Sequence, residues 1–201
     1  MSLRNYTKRF FSASLLTFVL SLGIIAPAYA ADVNGFNYGA GDILLTSDTD
    51  SIGLLGHTGL VLPDGKSIVH IAGLHQRPTR IHITQWLSRY PHTKVIRHKS
   101  TPTRVKAANW AKAYYVDGKG KYTEYKVTPN PKDLKYTYCS EIVWQAYYYG
   151  ANIPYKVVST NCSDGVFCNS TYNIPAFIKP YDFSKVMLLD YNGFKIVKEF
   201  K

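Results

Sequence analysis

The stretch HTGLVLPDGKSIVHIA, residues 57–72, predicts a β-hairpin around which the rest of the chain is arranged. Branched apolar residues on both sides favour extended strands, and the Asp64-Gly65 pair between them is a strong turn signal. Each predicted strand also carries one histidine. The register of the hairpin therefore decides whether the two imidazoles meet.

The relative positions of His57 and His70 depend on which residues form the turn. A two-residue turn at the Asp-Gly pair places His70 opposite Gly59 and diagonal to His57. A turn one residue earlier places His57 directly opposite His70. Both registers put the imidazoles on one face of the sheet, whereas a three-residue loop would put them on opposite faces.

The remaining segments alternate between strand and helix patterns without an internal repeat, which predicts one α+β domain over residues 31–201 with an antiparallel sheet packed against helices. Further strands are predicted at GDILLT (41–46), RIHIT (80–84) and VIRHKS (95–100), the last being typical of an edge strand or of the end of a strand. Near the end of the chain, Asn192-Gly193 lies between VMLLDY and FKIVKEF, which predicts a closing hairpin.

Three helices are predicted, a short one over QWLSRY and two longer ones over 101–115 and 139–149. Thr84 is the expected N-cap of the first helix. Thr101 is the expected N-cap of the second, with Pro102 at its first helical position. Gly150 is placed to end the third helix. Between the two longer helices, residues 117–136 predict a long loop or irregular hairpin.

Residues 1–30 have the pattern of a secretory signal peptide. Arg4, Lys8 and Arg9 precede the apolar run FFSASLLTFVLSLGII, and the small-residue sequence AYA ends at Ala30. We therefore expect cleavage near Ala30 and a secreted or cell-envelope location. A membrane anchor is the alternative, but the apolar run is short for a bilayer-spanning helix.

The chain is strongly basic, with 24 Lys and Arg against 13 Asp and Glu. Without the three basic residues of the signal segment, 21 remain against 13, a net charge of about +8. For an exported protein this balance favours peptidoglycan, other anionic envelope material or lipid headgroups over nucleic acid. A basic surface without a binding role is the alternative. We expect a monomer with no cofactor and no nucleic-acid partner.

Three cysteines leave one thiol unpaired in an oxidising compartment. Cys162 and Cys168, in CSDGVFC, are close enough in sequence to form a disulfide across a small loop turned by glycine. A zinc site at this pair is a weaker interpretation, because neither a CxxC pair nor a nearby histidine completes four ligands. Cys139 is left over, which indicates an intermolecular disulfide or a reactive thiol.

Cys139 begins a predicted helix, where unpaired N–H groups and the positive end of the helix dipole favour thiolate over thiol. Such a setting lowers the pKa of a cysteine from about 8.5 to roughly 3.5–7.5. The same N–H groups can stabilise a developing oxyanion. Cys139 is therefore a candidate nucleophile, and a small buried cysteine that happens to start a helix is the alternative.

A cysteine nucleophile needs a base, and His57 and His70 form the best candidate pair of base and orienting group. Of the other histidines, His75 and His82 lie near arginines and suit surface or phosphate-facing roles. No chemistry is assigned to His92 and His98. A metal site built from the hairpin histidines with His75 or His82 lacks an HExxH motif or a carboxylate cluster.

Four ordered blocks, GDIL (41–44), GHTGLV (56–61), IVHIAG (68–73) and YCSEIVWQAY (138–147), resemble the circularly permuted NlpC-type papain-like hydrolases of the YiiX and YycO-like group. The resemblance spans most of residues 38–190 and implies a permuted papain-like fold, in which the histidine precedes the cysteine. It implies that Cys139 is the nucleophile, that His57 is the general base and that His70 is the third, polar residue of the triad.

The chain departs from many bacterial members of this group, which place a carboxylate where it has His70. Relatives that are similar to lecithin:retinol acyltransferase carry a histidine there. The departure leaves the substrate class open, because the permuted group includes both peptide amidases and lipid acyltransferases.

From the resemblance we expect a secreted thiol hydrolase of the amidase or peptidase type, acting on an amide bond in cell-wall peptides through a thioester acyl-enzyme. A lipid or acyl-ester hydrolase or acyltransferase with the same triad is one alternative. A non-catalytic, basic wall-binding module is another.

Overall fold

A computed structural model describes residues 31–49, 56–163 and 167–201, so the predicted signal segment lies outside the described residues. Its centre is a six-stranded antiparallel sheet with the strand order β12-β7-β3-β4-β5-β6. The strands of this sheet, in chain order, are β3 (Ile43–Thr46), β4 (His57–Val61), β5 (Ser67–His70), β6 (Thr79–His82), β7 (Thr93–His98) and β12 (Phe194–Glu199).

Further strands in the described part of the chain form two-stranded pairs. The pairs are β1 (Ala31–Val33) with β2 (Phe36–Tyr38), β8 (Glu124–Tyr125) with β9 (Tyr136–Thr137), and β10 (Val157–Ser163) with β11 (Phe167–Asn173). The β8–β9 pair is parallel and interrupts the long loop predicted between the two longer helices.

The α-helices of the described residues are α1 (Ile83–Arg89), α2 (Thr101–Ala111), α3 (Cys139–Gln145) and α4 (Val186–Tyr191). Helices α2 and α3 each continue as a π-helical segment, Lys112–Asp117 and Ala146–Gly150. Two 3₁₀ turns complete the set, Lys119–Tyr122 and Pro180–Ser184. None of the described helices combines the length and the apolar character needed to cross a membrane.

Apolar residues cover both faces of the central sheet, as the fully buried strand ILLT of β3 requires. On one face, Ile43 and Leu45 pack in a cluster with α3 residues such as Ile142. On the other face, Leu44 packs in a cluster with Trp86 of α1. The sheet is therefore a central layer between helices, which agrees with the α+β class expected from the sequence.

The β4–β5 hairpin has the register predicted for a turn at the Asp-Gly pair. Leu60 pairs with Val69 and Val61 with Ile68. The last hydrogen bond before the loop joins the N–H of Leu62 to the Ser67 carbonyl at 2.8 Å. Residues 63–66 therefore form the connection, which is longer than the predicted two-residue turn. Gly65 has φ +65°, which suits a glycine in this four-residue loop.

The predicted closing hairpin differs from the observed structure. VMLLDY, predicted as one arm of a closing hairpin, is helix α4, and Gly193 with φ +78° follows the end of that helix. The partner of β12 is instead β7, which lies between β12 and β3, so of the two positions that its sequence allowed the sheet edge is excluded. Pairing with β12 satisfies the side of β7 that would otherwise be exposed.

The N-caps of the first two helices lie one or two residues earlier than predicted. The His82 ring accepts from the N–H of Thr84, and the Gln85 side chain accepts from the His82 N–H in return. Ser100 caps α2, accepting from the N–H of Thr103. The hydroxyl of Thr84 does not cap the helix because this residue is already inside its first turn.

Candidate active site

The hairpin brings His57 and His70 into direct contact. His57 is the first residue of β4 and His70 the last of β5, and both side chains are buried. The Nε2 atom of His57 and the Nδ1 atom of His70 share a hydrogen bond of 2.8 Å. The ring nitrogen of His57 that remains outside this bond is Nδ1. The predicted base and orienting group are therefore placed as a hydrogen-bonded pair.

Helix α1 holds this pair through Trp86. The Trp86 ring stacks on the His57 ring, with centroids 5.2 Å apart and an interplanar angle of 18°, and meets the His70 ring edge-on at 5.7 Å. Its indole Nε1 donates to the Thr93 hydroxyl at 3.0 Å, which fixes the ring on the sheet. A Cβ on Gly59 would lie 3.1 Å from the Trp86 ring, so the second glycine of GHTGLV leaves room for it.

Both histidines are neutral at physiological pH. Burial, followed by the neighbouring charges of His70 and Arg89, lowers the pKa of His57 to about 3. Burial and then Arg89 lower the pKa of His70 to about 4. A neutral imidazole can accept a proton, so His57 is in the protonation state that a general base requires.

Cys139 is a free thiol at the first position of α3, with 7% of its surface exposed. Burial raises its pKa, and contacts from the backbone and side chains of Thr58 and Ser140 oppose the rise without cancelling it. The Thr58 hydroxyl makes no full hydrogen bond in the described structure. The lowered pKa expected from the helix start is therefore wrong, because loss of hydration outweighs the nearby N–H groups.

Cys139 and His57 line the same cavity, which has a volume of about 270 Å³ and is called here the polar cavity. Asp48 and Arg89 bring charged groups to its wall. The Arg89 side chain is exposed, lies over the Tyr90 ring at 5.4 Å and forms no ion pair with any described residue. The cavity therefore joins the thiol, the imidazole and a guanidinium that has no ion-pair partner among the described residues.

A second depression of about 290 Å³ also reaches Cys139 and is called here the apolar groove. Apolar and aromatic residues make up most of its wall: Tyr125, Val127, Tyr138, Phe177, Ile178 and Pro180. It shares Gly56, Tyr125 and Cys139 with the polar cavity. The thiol therefore lies where a polar and an apolar space meet.

Sequence reasoning missed two residues of the site, Trp86 and Tyr125. Trp86 occurs in the predicted helix QWLSRY, where an aromatic residue reads as core packing. Tyr125 lies in the segment predicted as a loop, and no periodicity marks it. Tyr125 lines both the polar cavity and the apolar groove together with Cys139, and burial raises the pKa of its phenol.

Glu141, two residues after the thiol, is fully buried, and its two carboxyl oxygens lack a hydrogen-bond partner in the described structure. Burial, followed by the charge of Asp133, raises its pKa to about 9. The Tyr138 N–H and the Thr137 hydroxyl oppose this rise, but neither reaches full hydrogen-bond geometry. Glu141 is therefore a carboxylic acid, not a carboxylate, at neutral pH.

The other histidines lie away from the thiol. His75 is exposed in the loop after β5, and His82 caps α1. His92 pairs with Asp48 at 2.9 Å, and the His98 ring accepts from the Ser100 N–H. The described residues contain no group of three His, Cys, Asp or Glu side chains that could hold a metal ion.

The backbone register of β10 and β11 places Cys162 directly opposite Cys168. Their side chains lie outside the described residues, so the disulfide between them stays a prediction.

A family described as lipoprotein N-acylation protein LnsA-like matches residues 8–188 of the chain. An uncharacterized 30.3 kDa protein from Bacillus thuringiensis is 29% identical over 126 residues, which are 58% of this chain and 46% of that protein. The chain therefore covers less than half of the length of that relative.

The crystal structure of the metalloprotein yiiX from Escherichia coli O157:H7 has a similar fold, with a TM-score of 0.57 and 18% sequence identity. The similarity covers 82% of this chain and 98% of that chain. It supports the YiiX-like fold suggested by the sequence blocks. Among the described side chains of this chain, no three His, Cys, Asp or Glu residues are grouped so that they could hold a metal ion.

Proposed function

Since the chain belongs to the lipoprotein N-acylation LnsA-like family, we propose that it is a thiol acyltransferase that carries an acyl group as a thioester on Cys139. The observation that carries this proposal is the meeting of the thiol and the hydrogen-bonded His57–His70 pair at one cavity. Nucleophilic catalysis by cysteine needs this pairing of a thiol with an oriented base.

In the first step, the sulfur of Cys139 attacks the carbonyl carbon of an acyl ester. The S–C bond forms, the ester C–O bond breaks, and the thiol proton passes through Nδ1 of His57 to the departing alkoxide oxygen. His57 must then carry its own proton on Nε2, which its hydrogen bond to Nδ1 of His70 favours. His70 therefore acts as the residue that orients the base and fixes its tautomer.

In the second step, an amine enters the polar cavity and attacks the thioester. The N–C bond forms, the C–S bond breaks, and one amine proton returns through His57 to the sulfur. The burial of Cys139 limits access of water to the thioester, which favours transfer over hydrolysis. We propose the terminal amine of a lipoprotein as the acceptor, because the description of the family names lipoprotein N-acylation.

Several finer features belong to the same proposal. The position of His57 before Cys139 in the chain, together with the YiiX-like fold, supports a circularly permuted NlpC-type papain-like arrangement. The pattern of residues 1–30 supports export with cleavage near Ala30. The basic composition supports contact with anionic cell-envelope material.

Amide hydrolysis in cell-wall peptides is a second candidate, with water in place of the acceptor amine. Arg89 favours it, because this exposed side chain lines the polar cavity without an ion pair to a described residue, and a guanidinium binds peptide carboxylates well. The neighbouring apolar groove has no role in that reaction, whereas acyl transfer from a lipid gives it one.

The experiment that tests the proposal incubates wild-type protein with phospholipid vesicles and a synthetic lipopeptide that has a free amino terminus. We expect mass spectrometry to detect an N-acylated lipopeptide and an acyl adduct on the tryptic peptide that contains Cys139. Cys139→Ala should abolish both products. In a parallel reaction, release of amines from purified peptidoglycan without lipopeptide acylation would replace acyl transfer by amide hydrolysis.

A further inference from the structure

We propose that the apolar groove binds the hydrocarbon chain of the acyl group on Cys139, while the polar cavity receives the acceptor. This inference rests on the proposed function and adds to it a division of the site into two subsites. Because both spaces include the thiol in their walls, a thioester on Cys139 can direct its chain into one and expose its carbonyl to the other.

The inner wall of the groove is apolar because its polar atoms are paired with each other. The N–H of Ile178 donates to the Tyr138 phenol oxygen at 3.0 Å. The Ser140 hydroxyl donates to the Ile178 carbonyl at 2.7 Å. These bonds satisfy the main chain of Ile178, so this part of the wall presents no unpaired backbone donor or acceptor and suits a ligand that offers no hydrogen bonds.

The outer part of the groove is apolar and accessible to solvent. Val127 is 50% exposed and Phe177 is 44% exposed, although both are large hydrophobic side chains. Phe177 and Lys179 also line a further surface depression that contains Ile174 and Lys185. A chain seated against the sulfur would cover Val127 and Phe177, and its removal from water would stabilise the acyl-enzyme.

The polar cavity has the opposite character, which argues against it as the place for a hydrocarbon chain. Its wall carries Asp48, His57 and Arg89, and a chain there would remove charged groups from water without replacing their contacts. Asp48 suits an amine, and Arg89 suits an anionic headgroup. The assignment of chain and acceptor to the two spaces therefore follows from the chemistry of their walls.

The test measures acylation of Cys139 by p-nitrophenyl acetate, butyrate and octanoate, below the concentrations at which the esters form micelles. The burst of p-nitrophenolate gives the rate, and intact mass gives the adduct. Each rate is divided by the rate of the same ester with free cysteine. Burial is worth about fourfold per methylene, so we expect the normalised rate for octanoate to exceed that for acetate at least tenfold.

Two groove variants, Val127→Asn and Phe177→Asn, should lower the octanoate rate about five- to tenfold and leave the acetate rate within twofold. Both sites are partly exposed, so the variants should fold. Met187→Asn is the matched control, because Met187 is 62% exposed and lines neither the groove nor the polar cavity. It should leave both rates unchanged.

Each failure has a distinct meaning. If octanoate reacts no faster than acetate after normalisation, or if the groove variants slow both esters equally, the groove does not hold the chain although the thioester mechanism stands. If no ester forms an adduct on Cys139, the proposed function itself fails.

Discussion

Cys139 shows how burial decides the resting state of a nucleophile. The thiol is neutral because its pKa is raised, and His57 is neutral because its pKa is lowered to about 3. The site therefore does not hold a preformed thiolate–imidazolium pair. Transfer of the thiol proton to His57 must accompany attack on the acyl carbon, so the site is reactive only towards a substrate that fits it.

A neutral, buried thiol should react slowly with a non-specific electrophile. We expect iodoacetamide to label Cys139 more slowly than a free peptide cysteine at pH 7, because only the thiolate reacts and little of it is present. Peptide mapping separates this label from any on Cys162 or Cys168. Labelling faster than the peptide control would mean that the helix start lowers the pKa after all.

The acid limb of the acylation rate should lie well below the pKa of an ordinary histidine. His57 must be neutral to accept the thiol proton, and burial keeps it neutral down to about pH 3. We therefore expect the rate with p-nitrophenyl octanoate to show no loss between pH 7 and 5, where an unperturbed histidine would be about half protonated near 6.5. An acylation rate that halves near pH 6.5 in the folded protein would contradict the conclusion that burial lowers the pKa of His57.

At the scale of the elements, α1 and the β4–β5 hairpin act as one unit that positions the imidazoles. Gly59→Ala tests this, since the new Cβ would lie 2.8 Å from the Ile68 Cδ1 atom and 3.1 Å from the Trp86 ring. We expect a loss of about 1–3 kcal/mol in the free energy of unfolding. We also expect a roughly 10- to 100-fold loss in acylation rate, because displacement of Trp86 moves the His57 ring stacked on it.

A second substitution separates stability from positioning in this prediction. Ile68→Val removes the Cδ1 atom, so the double variant Gly59→Ala with Ile68→Val should recover stability but not rate. Ile68→Val alone is the control for the lost methyl group. Equal recovery of stability and rate in thermal denaturation and burst assays would show that Trp86 does not position the base.

The GDIL block has a structural role at the same scale. Asp42 is fully buried and forms two bonds to Arg97, at 2.8 and 2.6 Å. A Cβ on Gly41, which has φ +80°, would lie 2.4 Å from the Arg104 carbonyl oxygen. The block therefore joins β3 to β7 and α2. Of the blocks that carry the family resemblance, this one supports the sheet and the others supply the thiol and the imidazoles.

Local patterns predicted the hairpin well, because a two-residue period and a turn signal fix the register of neighbouring strands. They could not place β7, since its second neighbour β12 lies about a hundred residues later in the chain. VMLLDY is a short apolar run, for which periodicity does not separate strand from helix. Tyr125 was missed because only the fold brings β8 to the thiol.

For the whole molecule, the buried titratable groups of the site link stability to pH in opposite directions. Folding lowers the pKa of His57 from 6.5 to about 3 and the pKa of His70 from 6.5 to about 4. Between each lowered pKa and pH 6.5, the unfolded chain therefore binds more protons than the folded one. The contribution of the two histidines is complete above pH 6.5 and is lost as the pH falls. The Glu141 pKa is raised from 4.5 to about 9, so its contribution is complete below pH 4.5 and is lost as the pH rises.

Glu141→Gln isolates the alkaline half of this linkage. The amide cannot ionise, so the variant should gain stability over the wild type by up to about 1.4 kcal/mol per pH unit above 4.5, with no pH-dependent difference below it. Urea denaturation at pH 4.5, 6.5 and 8.5 measures the difference. Glu124→Gln, at an exposed site, is the control and should show no such trend. If the difference in free energy of unfolding between Glu141→Gln and the wild type were the same at all three pH values, Glu141 would be ionised in the folded protein. Its carboxylate would then need a stabilising partner that the described neighbours do not supply.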